Sequence, residues 1–142
     1  MLRLLSLLAL AICMSGPALA QQSAAFDPAN AVSKVKGTCA MVATHIVERN
    51  GLDGRCIAAA QDFLGLLNGR SRGEVDKNVT DLILELVPLA AADGGCNLFD
   101  AEIGRAIRLA SNYVSTEVQR SLFLEVAATI EACDGNATAA IA

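Results

Sequence analysis

Residues 71–92 read SRGEVDKNVTDLILELVPLAAA, and both the start and the continuation of this stretch are helical. Ser71 followed three residues later by Glu74 is a capping box, in which the serine oxygen accepts the N–H of residue 74 and the carboxylate reaches back to the start of the helix. Val75, Val79, Leu82, Ile83, Leu86 and Ala90 then continue the helical period, at steps of three and four with Leu82 and Ile83 adjacent. From Leu82 to Ala92 only Glu85 and Pro88 interrupt the apolar run. A helix without a polar face is normally buried, so this one is expected at the centre of a bundle, with Pro88 loosening its last turn.

The same period recurs on both sides. Asp27-Pro28 reads as an N-cap followed by proline at the first helical position. Val32, Val35, Cys39, Val42, Ile46 and Val47 form one face up to Asn50-Gly51. A second helix carries Cys56, Ala59, Ala60, Phe63, Leu66 and Leu67 and stops at Asn68-Gly69. Past Asp93-Gly94-Gly95, a fourth helix bears Ile103, Ala106, Ile107 and Ala110. Ser115 is placed to cap a fifth, with Val118, Leu122, Val126 and Ile130 on one stripe up to Cys133. No segment alternates like a strand over four or more residues. The expectation is therefore an all-α, up-and-down bundle of about five helices stapled by disulfides.

The first twenty residues show a basic start at Arg3, an apolar run from Leu4 to Ile12 and the small-residue end Ala18-Leu19-Ala20. That is the layout of a secretory signal peptide. Its apolar run is about half the length needed to span a bilayer as a helix. Cleavage after Ala20 makes Gln21 the mature N-terminus, with a flexible segment at 21–27, a helical domain at 28–133 and a loose tail at 134–142. Lipidation at Cys13 is disfavoured, because Ile12 stands where such signals carry a small residue.

Cys39, Cys56, Cys96 and Cys133 remain after cleavage, an even set bound for an oxidising compartment, so two disulfides are expected. In an antiparallel bundle the second and fourth helices start at the same end, which favours Cys56 with Cys96 and leaves Cys39 with Cys133. A Cys39–Cys56 bridge looks worse, since Cys39 lies about 15 Å along its helix from the turn. Zinc is disfavoured: no two of these cysteines stand two to four residues apart, and His45 is the only histidine.

The chain carries a formal charge of −4, one unit more negative once Arg3 is removed. An acidic surface with few aromatics argues against nucleic acid, which needs a clustered basic face. Gly69-Arg70-Ser71-Arg72-Gly73 spells the nucleophile elbow G-x-S-x-G, but that device needs a strand entering the turn and a histidine following the serine. The stretch entering here is helical, His45 precedes Ser71, and helix capping explains the serine. No catalytic residue is assigned. His45, between Val42 and Ile46, reads as a half-buried structural histidine. Asp93, Asn97, Asp100 and Glu102 fail the calcium-loop register, with glycine at both the third and twelfth positions counted from Asp93. The chain lacks the C-x-x-C-H of haem attachment, and no cofactor or metal is expected. Asn78-Val79-Thr80 and Asn136-Ala137-Thr138 match the glycosylation sequon. Arg70, Arg72 and Lys77 make a small basic spot at a turn, where the two arginines form a candidate interaction site able to clamp an acidic group.

These readings converge on an exported, periplasmic or secreted, non-enzymatic binding protein with another protein as partner, no nucleic acid and no membrane span in the mature form. A homodimer is compatible with it. The alternative is a carrier of an apolar small molecule between helices, and a hydrolase using Ser71 comes third.

Overall fold

The computed structural model describes residues 26–49, 54–92 and 98–132, with the side chains of 43–49, 91, 92 and 98 left aside. The signal-like segment, Cys13, Gln21, Asp93, Cys96, Asn97, Cys133, Asn136 and the tail all lie outside the described residues, as does the side chain of His45.

Five helices and no strand form among the described residues: α1 Pro28–Arg49, α2 Arg55–Leu66, α3 Arg72–Ala92, α4 Leu98–Ser111 and α5 Glu117–Glu131. Local chemistry sets several of their ends. The Asp27 carboxylate accepts the N–H groups of Ala29 and Asn30 at 3.1 and 3.3 Å, capping α1. Gly69 adopts φ 80° just beyond α2, in the left-handed region where glycine is unstrained. The capping box of α3 is complete: Ser71 donates from its N–H and hydroxyl to Glu74 Oε2 at 3.0 and 2.8 Å, and the Glu74 N–H returns to Ser71 Oγ at 3.4 Å. α3 runs on through Pro88 to Ala92.

The bundle is up-and-down. Lys36 on α1 pairs with Glu85 on α3 at 2.6 Å, and the early residues of both helices line one groove, so α1 and α3 rise together. α2 descends, because Cys39 meets Cys56 near its start while Phe26 meets Arg70 beyond its end. α4 packs on all four other helices, whereas α3 packs closely on α1 and α4. The centre is thus α4 rather than α3, and α3 keeps Lys77, Leu84 and Glu85 exposed. Small residues let α4 take that place: a methyl group on Gly104 would stand 2.5 Å from Glu131 Cγ and 3.0 Å from the Ala127 carbonyl oxygen. The same contact is tied at its edge by Arg108, whose guanidinium donates to both carboxylate oxygens of Glu131 at 3.1 and 2.7 Å.

The expected disulfide pairing does not hold. Cys39 is bonded to Cys56, with alpha carbons 4.4 Å apart, so neither can join Cys133 or Cys96. The expected pairing requires α2 to start level with the end of α1. The six steps from Arg49 to Arg55 can reach roughly 20 Å, enough to return past the last turns of α1. The expectation that the starts of α2 and α4 adjoin does hold, through a different residue. Gly54, at φ 79°, offers no side chain to cap α2. The buried Glu102 carboxylate of α4 fills that role, accepting the Cys56 N–H at 3.0 Å.

Candidate functional site

The lower end of the bundle gathers the turn entering α3 and the turn joining α4 to α5. Asn68-Gly69 closes α2, with the Arg70 N–H donating to the Leu67 carbonyl at 3.1 Å, and Ser71 immediately launches α3. That leaves one residue on each side of the cap, Arg70 and Arg72, on the outer surface.

Opposite them, the α4–α5 turn is fastened to α3 by Asp76. Its carboxylate accepts the Ser115 N–H at 2.7 Å and also the Ser115 hydroxyl. One turn later, Gln119 donates to Thr80 Oγ1 at 2.6 Å, while Thr80 donates to the Asp76 carbonyl at 2.7 Å. Arg120 steadies the turn from behind, donating to the Val114 carbonyl at 2.9 Å. Ser115 therefore anchors a turn rather than capping α5, where Thr116 holds the N-cap position without a side-chain capping bond.

Between these walls lies a cleft of about 370 Å³ lined by Arg70, Arg72, Val75, Asp76, Tyr113 and Ser115. The structure thus brings Arg70 and Arg72 together and adds Tyr113, which is 43 % exposed. The Arg70 guanidinium lies 4.8 Å from the centre of the Phe26 ring, a cation–π contact that orders it at the rim. Neither Arg70 nor Arg72 makes an ion pair among the described residues, in contrast to Lys36, Lys77, Arg108 and Arg120, each of which has a carboxylate partner. Asp76, the acid in the cleft, is occupied by Ser115. Lys77 turns away and pairs with Asp81 at 2.6 Å.

A second acid on this turn is Glu74, and Ser71 holds it. The serine hydroxyl bond, then the serine N–H bond, and lastly the charge of Arg70 hold its carboxyl below the ordinary glutamate range, against some opposition from desolvation. Glu74 therefore stays charged at neutral pH and occupies the first turn of α3, and the open positive charge belongs to the two arginines. Ser71 is engaged in the capping box as both donor and acceptor, which accounts for the serine of the G-x-S-x-G string.

Asn78 is 6 % exposed, and the Thr80 hydroxyl is bonded on both sides, so the first sequon is enclosed in the bundle. Of the acidic cluster read near the Gly-Gly turn, Asp100 and Glu102 are both buried. No group of three or more His, Cys, Asp or Glu suited to a metal occurs among the described residues, and no described helix is long and apolar enough to cross a membrane. The contributions of Phe26 and Tyr113 are not evident from the sequence. Each is an isolated aromatic outside a motif, and only the fold carries them to the arginines.

Comparison of the chain with protein-family models, with curated proteins and with solved structures finds no match.

Proposed function

We propose that the chain is an exported, non-enzymatic binding protein of the bacterial periplasm or cell exterior, and that its Arg70–Arg72 cleft takes an acidic group of a protein partner. The observation that carries this reading is the pair of guanidinium groups left without carboxylates on one cleft, where four other basic side chains of the described surface are paired. A guanidinium presents a planar fork that matches a carboxylate with two parallel hydrogen bonds. Tyr113 adds a ring with a polar end, a combination common at protein interfaces. The Cys39–Cys56 bridge, together with the signal-like N-terminus, supports an oxidising compartment.

The test is a titration of isotopically labelled protein with a short glutamate-rich peptide, following the arginine side-chain N–H resonances. The expected result is displacement of the Arg70 and Arg72 signals and of the Tyr113 amide, suppressed by salt because the attraction is screened. No displacement at low salt, or displacement centred elsewhere, would refute the assignment of the cleft.

A further inference from the structure

We infer that the groove between α1 and α2 is a self-association face, whose occupant is a second copy of this chain. The groove encloses about 320 Å³, and its floor is apolar, formed in part by Ala31, Val35, Ala59 and Phe63. Leu66, 54 % exposed, stands at one end of it. At one level its two rims carry opposite charge, Lys34 on α1 and Asp62 on α2, while Arg55 lines the groove at the start of α2, beside the bridge. Neither Lys34 nor Asp62 makes an ion pair among the described residues.

The disulfide sets the register of these two charges. α1 and α2 run antiparallel with Cys39 bonded to Cys56. Lys34 lies five residues before the first cysteine and Asp62 six after the second. At about 1.5 Å per residue, both stand some 7.5–9 Å from the bridge, at nearly one level on opposite rims. A two-fold axis lying in the interface and parallel to the groove carries one rim onto the other at constant level. Lys34 of each copy then faces Asp62 of the other, both pairs forming at once, while the alanine-rich floors approach closely and Leu66 leaves water. A self-complementary patch of this kind is what a symmetric dimer requires.

Charge reversal offers a test that a merely structural role would not pass. The exported, oxidised protein and its variants Lys34→Glu and Asp62→Lys are compared by sedimentation over a wide concentration range, with circular dichroism as a check on folding. Wild type should form a concentration-dependent dimer. Each variant alone places two like-charged pairs in the interface and should raise the dimer dissociation constant by at least about tenfold. In an equimolar mixture of the two variants, opposite charges meet again at both contacts. The introduced glutamate of one copy faces the introduced lysine of the other, and the retained Lys34 faces the retained Asp62, so the mixture should dimerise close to wild type. Leu66→Lys, at the end of the same groove, should also dissociate the dimer. A wild-type monomer at every concentration would overturn the inference. So would a dimer indifferent to either reversal, a mixture no tighter than its components, or a monomer whose groove instead takes an apolar small molecule.

Discussion

Ser71 shows how one residue type in one motif admits two readings and how neighbours decide between them. Its hydroxyl donates to Glu74 and accepts that residue's N–H, so the serine belongs to the helix start. Ser71→Ala should lower stability by about 0.5–2 kcal/mol, as loss of an N-cap does, and leave any biological activity of the folded protein intact. The variant also tests the sign of a pH effect. Glu74 is more acidic folded than unfolded, so its contribution is present above the ordinary glutamate range and lost as pH falls through the lowered folded value. The stability gap between wild type and variant, measured by urea unfolding, should therefore narrow at acid pH. Glu102 is the complementary case, a buried acid whose role depends on a distant part of the chain. Its removal as Glu102→Ala strands the Cys56 N–H and should cost about 1–3 kcal/mol, whereas Glu102→Gln, which keeps an acceptor oxygen, should cost less. Local caps such as Ser71–Glu74 and Asp27 are legible in sequence because both partners lie within one turn. The Glu102 cap is not, because its partner is 46 positions away.

At the scale of elements, α5 shows why apolar periodicity identifies a helix more securely than it identifies the buried face. The stripe of Val118, Leu122, Val126 and Ile130 advances four residues at each step, and four residues turn a 3.6-residue helix about 40° too far each time. Val118 is consequently 85 % exposed and Leu122 43 %, while Phe123, Val126, Ala127 and Ile130, spaced three, one and three, are buried on the face toward α4. In α1 the alternation Val32, Val35, Cys39, Val42 stays on one side, and all four are buried. Two substitutions separate the faces of α5 by thermal or urea denaturation. Val118→Gln should change stability by no more than about 0.5 kcal/mol, and Ile130→Ala should cost about 2–5 kcal/mol through the cavity it leaves. A large loss from the first, or none from the second, would mean that α5 is rotated from this placement.

At the scale of the whole molecule, the up-and-down order of five helices follows from short connections and amphipathic segments. The identity of the central helix does not. α3 has the longest apolar run, but centrality requires close approach on several sides, and Gly104, Ala106 and Ala110 give α4 the narrow profile for it. The disulfide pairing escapes the sequence because a tight turn between α1 and α2 would keep Cys39 and Cys56 apart, whereas the link is long enough to permit a return along the helix. Arg70 and Arg72 are legible as a basic spot because they flank a recognisable cap. Their environment is not, since Tyr113 and Phe26 reach them only through the antiparallel packing of α3 with α4 and the hairpin of α1 with α2. Whether this assembled cleft is where the protein meets its partner is decided by cross-linking in the living cell. A photoreactive phenylalanine analogue replaces Tyr113, in the wild-type background and in Arg70→Ala/Arg72→Ala, and the attached peptides are sequenced. Discrete adducts at partner segments bearing Asp or Glu are expected, lost in the double variant while its melting temperature holds. Adducts that persist undiminished without the two arginines, or that map to segments with no acidic group, would contradict that role of the cleft.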